Sequence, residues 1–356
     1  MKNKANLTNV LNRLEENDLK HQILELQNGS KAIITERGGK VLGPFLDDNS
    51  SSIFWINDSF TSKEDFKRFL DSDDSWTFGG ERMWIAPEIQ YRTTNRSDFW
   101  NNIILPEDLE PGKYKLDLIK NNHIRLKEDI SLTAYGQTPG QKTLNIERSF
   151  LPVDDPLRFR NDHDSLIKDI RFIGYEHRVD ISEVKTDEIL SEAWILLQVN
   201  SGGKMIIPIT SPDIDYSDYF DPVGDYQEIN NNFISLNISG DKQYKVGYNS
   251  ASVLGRIGYL NKFDDNNFCL IVRNFFNNPS SIYCEEPPDI IGKKGNSVHV
   301  YNDNGMFGGF GEIECNGQTL GGNSNRSSSK DDMCVWIYLG EEKKISKIAK
   351  LLLGYS

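Results

Sequence analysis

The 356-residue chain is poor in the side chains that build metal and cofactor centres. It has five histidines, no two of them at a short metal-ligand spacing, and four cysteines without CxxC spacing. We expect no metal ion, and we expect the cysteines to be reduced and buried. The glycine-rich string Gly308–Gly311 precedes a strand-like segment instead of a helix, so it lacks the geometry of a phosphate-binding loop. We therefore expect no cofactor.

Positive charge and long apolar runs are also scarce. The chain has 40 Lys and Arg against 53 Asp and Glu, a formal net charge of -13. Such a chain lacks the basic surface that recognises a nucleic-acid backbone or an anionic membrane. No stretch approaches the roughly 20 apolar residues of a membrane span. The first 20 residues have no signal-peptide core, so we expect a cytoplasmic protein that binds neither nucleic acid nor membrane.

Short alternating or apolar runs, separated by Gly, Asn, Asp and Pro, dominate the chain from Gln22 onward. This pattern is typical of an all-β protein. Four strands fit into residues 22–56, and Asn28-Gly29 is a hairpin signal between the first two. Later runs bring the total to about fifteen or more strands, which predicts a large sandwich of two sheets. We expect residues 1–356 to form this sandwich as a single domain.

Helices and long loops are expected only around the sandwich. The predicted helices cover about residues 1–20, Ser62–Leu70 and about 341–353. The polar segments Asp213–Tyr226 and Gly322–Asp332 are expected to be surface loops.

One segment, Trp76–Glu88, is difficult to explain by packing alone. Its sequence, WTFGGERMWIAPE, places charged groups beside tryptophans on one short stretch. Proteins commonly hold sugars in this way, because the aromatic faces meet the apolar C–H faces of the ring while the charged groups bond its hydroxyls. The segment predicts a small-molecule carbohydrate as the partner.

The same segment resembles a Gly-Gly-acid-Arg-x-Trp-x-x-Pro-Glu string in uncharacterised members of the galactose mutarotase-like, or aldose 1-epimerase-like, superfamily. Three later segments resemble other passages of that superfamily in the same order, namely Glu192–Val199, Lys245–Tyr259 and Phe310–Gly317. The resemblance covers most of residues 22–340. It implies the superfamily's fold, a large two-sheet antiparallel β-supersandwich with a sugar site on one concave face.

Interconversion of aldose anomers needs a base for the C1 hydroxyl proton and an acid for the ring oxygen. In characterised mutarotases a Glu on a late strand is the base and a His is the acid. The resemblance favours Glu314 as the base, with Glu286 as the alternative site carboxylate. His177, on a strand before the family-like middle segment, is the candidate acid. The Asn-His-x-Tyr-Phe-Asn string that carries a mutarotase histidine is absent from this chain.

Further residues are candidates for binding the sugar. Arg82 can donate to two adjacent hydroxyls, Trp84 can stack on a ring, and Glu88 can accept from a hydroxyl. Arg256 lies between glycines that allow close approach of another group. A structural role stays open for each, such as an ion pair of Arg82 with Glu81 or Glu88.

These residues predict a carbohydrate-binding protein. If the chain is an enzyme, the activity to expect is that of an aldose 1-epimerase-type isomerase with a Glu base and a His acid. The alternative is a non-catalytic sugar-binding or sensing protein that uses the same pocket, and the missing histidine string favours this alternative.

Overall fold

A computed structural model describes residues 4–120 and 122–355, and these residues form two large antiparallel sheets. The nine-stranded sheet has the order β1 (His21–Glu25), β2 (Lys31–Thr35), β3 (Val41–Phe45), β4 (Glu81–Ala86), β9 (Glu192–Asn200), β18 (Phe310–Asn316), β17 (Asn296–Asn302), β14 (Tyr244–Asn249) and β11 (Tyr216–Asp218). The ten-stranded sheet has the order β12 (Gln227–Ile229), β13 (Phe233–Ile238), β10 (Gly203–Pro208), β15 (Arg256–Lys262), β16 (Phe268–Phe275), β19 (Ser328–Gly340), β8 (Arg171–Glu183), β7 (Gly140–Pro152), β6 (His123–Ala134) and β5 (Lys115–Lys120). The predicted all-β sandwich is confirmed.

Five α-helices lie around the sheets in the described part of the chain, namely α1 (Leu7–Glu16), α2 (Lys63–Leu70), α3 (Glu88–Tyr91), α4 (His163–Ile167) and α5 (Glu342–Leu353). The Asn6 side chain caps α1 by accepting from the Asn9 backbone N–H at 2.8 Å, and Ser62 caps α2 in the same way. Residues 1–3 of the predicted N-terminal helix lie outside the described residues. Within residues 4–120 and 122–355, none of the helices has the length and apolar character that crossing a bilayer requires.

The main core lies between the two sheets. Side chains alternate across each strand, so every second residue points inward. On β4, Met83 and Ile85 join the core between the sheets, and on β18 Ile313 does so. The inward side chains of both sheets are nearly all buried, which fixes the register of each strand.

Helices cover parts of the two outer faces. Helix α5 packs Ile348 and Leu352 against outward residues of β16 and β19, such as Val272 and Trp336. Helices α1 and α2 pack over β2 and β3 at one end of the nine-stranded sheet. The adjoining part of the same outer face is formed by β4, β9, β18, β17 and β14.

Two of the predicted loops contain strands. Part of Asp213–Tyr226 pairs with β14 as the short strand β11, and β19 begins at Ser328 inside the predicted loop Gly322–Asp332. The start of β19 is polar but still alternates, with Ser329 and Asp331 buried and their neighbours exposed. The Asp331 carboxylate accepts from the Ser329 hydroxyl at 2.5 Å. The inward positions of this strand are therefore filled by a hydrogen-bonded polar pair, whereas a strand is recognised in a sequence by apolar residues at those positions.

Candidate functional site

A cavity of about 390 Å³ opens on the outer face of the nine-stranded sheet. Nine of its lining residues are aromatic: Trp76, Trp84, Phe99, Trp100, Trp194, Phe220, Tyr301, Phe307 and Phe310. Seven are charged: Asp73, Arg82, Glu88, Arg92, Lys245, Glu312 and Glu314. We call this cavity the aromatic pocket.

Strand register brings the charged residues together. On β4, Arg82 lies opposite Leu196 of β9, and Glu314 of β18 lies opposite Leu196 from the other side. Glu312 and Glu314 share a face because they are two residues apart on one strand. Lys245 of β14 pairs with Tyr301 of β17, which in turn pairs with Glu312. Strands that are distant in sequence therefore present their outward side chains to one pocket.

Trp84 lies beneath two arginines. The guanidinium carbons of Arg82 and Arg92 are each 4.2 Å from its ring centroid, within range of a cation–π interaction. Arg82 Nη2 donates to Glu312 Oε1 at 2.9 Å, and Arg92 Nη1 donates to Glu88 Oε1 at 2.9 Å. Trp84 is only 1% exposed. It therefore supports the two arginines and is poorly placed to stack on a sugar ring, the role that the sequence suggested.

Glu314 is held by an indole and an ammonium group. Trp194 Nε1 donates to Glu314 Oε2 at 2.8 Å, and Lys245 Nζ lies 3.3 Å from the same oxygen. Lys245 also lies 3.3 Å from Glu88 Oε2 and 4.2 Å from the centroid of the Trp194 ring. Both contacts of Glu314 thus involve one carboxylate oxygen.

Burial raises the pKa of Glu314 to about 7, and the nearby Lys245 ammonium only partly opposes this rise. Burial acts in the opposite sense on Lys245, but the carboxylates of Glu314, Glu88 and Glu285 raise the pKa of its ammonium above the usual value. At neutral pH, therefore, Lys245 keeps its proton while Glu314 can gain or lose one.

A second layer of carboxylates holds the floor of the pocket in place. Glu285 Oε2 accepts from the Glu88 backbone N–H at 2.7 Å. Glu192 accepts from the backbone N–H groups of Cys284 and Glu285 at 2.8 and 3.2 Å. Burial raises the pKa of Glu285 to about 8. These bonds attach the loop at residues 284–285 to the start of α3 and so fix the position of Glu88.

The structure places His177 outside the aromatic pocket. It lies on β8, is completely buried between the sheets, and stacks on Phe150 with 4.5 Å between ring centroids. Its Nδ1 lies 2.5 Å from Glu81 Oε1, and its Nε2 accepts from Arg148 Nε at 3.0 Å. Burial lowers the pKa of His177 to about 4. Because Glu81 points inward from β4 while Arg82 points outward, His177 and Glu314 lie on opposite sides of the nine-stranded sheet.

Glu286 and Arg256 are also outside the pocket. Glu286 is 2% exposed, pairs with Arg96, and accepts from Gln137 Nε2 at 3.2 Å. Arg256 lies on the ten-stranded sheet, where it donates to Asn274 Oδ1 at 3.0 Å and to the Leu352 carbonyl at 3.1 Å. Both side chains stabilise local structure. The pocket therefore brings together four of the seven candidates: Arg82, Trp84, Glu88 and Glu314.

No arrangement for a metal ion is found among residues 4–120 and 122–355, in the sense of three or more grouped His, Cys, Asp or Glu side chains. The four cysteines are free thiols, and three of them are buried.

Comparison with known proteins places the chain in a family. A family model described as "Family of unknown function (DUF6786)" matches residues 8–356. The chain belongs to this family. No curated protein matches this member of DUF6786 in sequence.

Solved structures place DUF6786 among known folds. A "putative aldose 1-epimerase" from Escherichia coli K12 is similar, with a TM-score of 0.55 and 8% identity over 90% of this chain and 99% of that one. A galactose mutarotase-like protein from Lactobacillus casei gives a TM-score of 0.48 and 10% identity over 89% and 100% of the two chains. The likeness to the Escherichia coli structure shows that this chain has the two-sheet galactose mutarotase-like β-sandwich fold, which the sequence motifs implied.

In this DUF6786 member the pocket also includes Lys245, Trp194 and Trp100, for which the sequence motifs indicated no site role. A signal was available for Lys245, because it is the single cation of strand β14, and only Asn249 at the end of that strand is also strongly polar. Trp194 and Leu196 share the outward face of β9, and Lys245 and Gly247 share the outward face of β14. Trp100 lies in a short 3₁₀ turn, Trp100–Asn102, whose place beside the pocket no local pattern indicates.

Proposed function

We propose that this chain binds a small neutral carbohydrate in the aromatic pocket. The observation that carries the proposal is the combination of nine aromatic side chains with a floor of paired charges in one cavity. Its volume of about 390 Å³ lies within the roughly 300–1,000 Å³ of small-molecule sites. A sugar satisfies both parts of such a lining, since its C–H faces contact aromatic rings and its hydroxyls bond charged groups.

The pairing of the cations favours a neutral ligand. Arg82 is bonded to Glu312, Arg92 to Glu88, and Lys245 lies between Glu88 and Glu314. A phosphate or carboxylate on the ligand would have to displace one of these internal partners, which leaves a buried carboxylate unpaired. A hydroxyl carries no such penalty.

Donors without partners also line the pocket. Among the described residues, Trp84 Nε1 and the Nε atoms of Arg82 and Arg92 are buried and make no hydrogen bond. Buried polar atoms in proteins are nearly always bonded, so each of these donors needs an acceptor. A sugar hydroxyl could supply such an acceptor without bringing a charge if the side chains of Arg82 and Arg92 shifted to admit it.

Proton transfer at the anomeric carbon is the second candidate function, and the raised pKa of Glu314 favours it. In anomer exchange the C1 hydroxyl loses its proton as the bond between C1 and the ring oxygen breaks, and an acid protonates the ring oxygen. A carboxyl that titrates near neutrality can take the first proton and return it when the ring closes again. The similar Escherichia coli protein is named as a "putative aldose 1-epimerase". However, no imidazole lines the pocket in the described part of the chain, so sugar binding has the stronger support.

Titration calorimetry tests the binding proposal with glucose, galactose, glucuronate and glucose 6-phosphate. We expect a neutral aldose to bind and its charged analogue to bind at least about tenfold more weakly, a difference of ~1.4 kcal/mol. The control variant is Glu147→Gln, which removes an exposed carboxylate from β7 of the other sheet. Binding of the charged sugars alone would contradict the neutral ligand, and no binding of any sugar would contradict the function.

Proton exchange spectroscopy on the bound aldose tests the second candidate. Accelerated exchange between anomers that is lost in Glu314→Gln would establish epimerase-type catalysis with Glu314 as the proton carrier. If the original protein and Glu314→Gln both bind the aldose but neither accelerates the exchange, the chain is a non-catalytic sugar-binding protein.

A further inference from the structure

The aromatic pocket has a buried floor and an exposed mouth. Glu314, Lys245 and Trp194 are each 2% exposed or less. At the other extreme, Trp100 is 49% exposed and Ile103 37% exposed, although both line the same cavity. The paired charges are therefore at the floor, and apolar surface dominates the mouth.

Two aromatic side chains support the Trp100 ring at this mouth. Its ring contacts Phe220 with 4.6 Å between centroids, and it meets the buried Phe99 edge-on at 5.4 Å. Phe220 comes from the segment between β11 and β12, so two distant parts of the chain support the ring. An indole that keeps about half its surface in water while its back is packed offers a flat face to a ligand.

The polar groups near the mouth fit a hydroxylated ligand. The Asp73 carboxylate lines the cavity, is exposed, and has no hydrogen-bond or ion-pair partner among residues 4–120 and 122–355. It can accept from a hydroxyl, but it repels a phosphate or a carboxylate. A simple hydrocarbon would leave this acceptor unused.

We propose that Trp100, backed by Phe220, forms a second subsite that stacks a further sugar ring joined to the sugar on the floor. The preferred ligand is then a neutral reducing disaccharide, with its reducing end beside Glu314 and its second ring on the exposed face of Trp100. This inference rests on the proposed carbohydrate binding and names the substrate class of the same site.

Calorimetry on matched sugars tests the second subsite. Glucose is compared with maltose and cellobiose, which both end in glucose, and galactose is compared with galactobiose. We expect at least one disaccharide to bind about tenfold more tightly than its own monosaccharide, which corresponds to ~1.4 kcal/mol. Trp100→Ala should abolish that difference by weakening the binding of the disaccharide more than that of the monosaccharide, whereas Trp100→Phe should keep most of the difference.

The control is Phe159→Ala, which removes another exposed aromatic ring that is 84% accessible and does not line the pocket. It should bind both kinds of sugar as the unaltered protein does. Equal affinity for monosaccharide and disaccharide would overturn the second subsite alone and leave the proposed function standing. Equal weakening of both sugars by Trp100→Ala would also overturn it, because Trp100 would then serve the floor site. Failure of every sugar to bind would overturn the proposed function and the subsite together.

Discussion

Glu81 is the carboxylate at the centre of a buried charged cluster between the sheets, and its replacement by Gln should strongly destabilise the protein. Its Oε2 accepts from the Tyr175 hydroxyl at 2.7 Å and pairs with Arg273, while Oε1 lies beside His177. Burial opposes its ionisation, but Arg273 and His177 hold the pKa of Glu81 well below its usual range. Arg148 donates to the far side of His177, which makes the imidazole neutral, with its proton on Nδ1 facing Glu81.

The size of the effect follows from burial. Glu81 and Arg273 both have completely buried side chains, so Glu81→Gln keeps the shape but leaves a guanidinium without a counter-charge. Removing one partner of such a pair costs about 3–5 kcal/mol. The pair of Lys127 with Glu147 has side chains 47% and 38% exposed, and exposed pairs contribute about 0–1 kcal/mol. Glu147→Gln is therefore the matched control.

Urea unfolding at pH 7 measures both variants. We expect the midpoint of Glu81→Gln to fall sharply with little change in the slope, and the midpoint of Glu147→Gln to stay close to that of the unaltered protein. Adding Arg273→Met to Glu81→Gln should restore part of the stability, because the unpaired cation is then gone. A Glu81→Gln protein within about 1 kcal/mol of the original, or no recovery in the double variant, would refute this account of the cluster.

Three further predictions concern pH and backbone geometry. Burial lowers the pKa of His177 to about 4, so as pH falls from about 6.5 the unfolded chain binds a proton at His177 before the folded chain does, and stability falls. Urea midpoints of His177→Asn should therefore fall less between pH 6.5 and 4 than those of the original protein. Burial raises the pKa of Glu285 to about 8, so the folded protein keeps this proton at a pH where the unfolded chain has lost it. The stability that the bound proton contributes is lost as pH rises through 8, and Glu285→Gln should therefore lose less stability than the original protein between pH 5 and 9. Gly80 has φ +75°, and an added Cβ would lie 2.1 Å from the Val41 carbonyl oxygen; Gly80→Ala should lower the thermal midpoint more than Gly29→Ala, where φ is +72° but the space is open.

Much of the pocket could be predicted from strand periodicity. Two residues that are two apart on a strand share a face, so the sequence alone places Arg82 with Trp84, and Glu312 with Glu314. The motif in residues 76–88 further indicated a sugar site, and its arginine does line the pocket. Periodicity does not predict which residues of other strands meet in the pocket. Lys245 and Glu88, for example, are in contact but lie 157 residues apart in sequence.

The same periodicity argues against His177 as the acid. On β8, His177 shares a face with Tyr175 and Val179, while Glu176 and Arg178 share the other. The apolar neighbours identify the first face as the one turned to the core, and the structure has all three side chains at most 1% exposed. The titration range of an imidazole does not indicate the face of the sheet on which it lies, and a strand residue can serve a site only on the side toward which it points.

The charges of the floor explain why a pocket with no imidazole in its described lining can still carry a mobile proton. With Glu314 ionised, the cations Arg82, Arg92 and Lys245 face three carboxylates, those of Glu88, Glu312 and Glu314. Arg82 and Arg92 each hold one carboxylate at 2.9 Å, so Glu314 shares Lys245 with Glu88 at the longer distance of 3.3 Å. Glu314 therefore has the weakest electrostatic support of the three while being 1% exposed. Since burial penalises the charged form, this carboxyl takes up a proton near neutral pH, and under the proposed function it is the group in the pocket that would exchange that proton with the sugar.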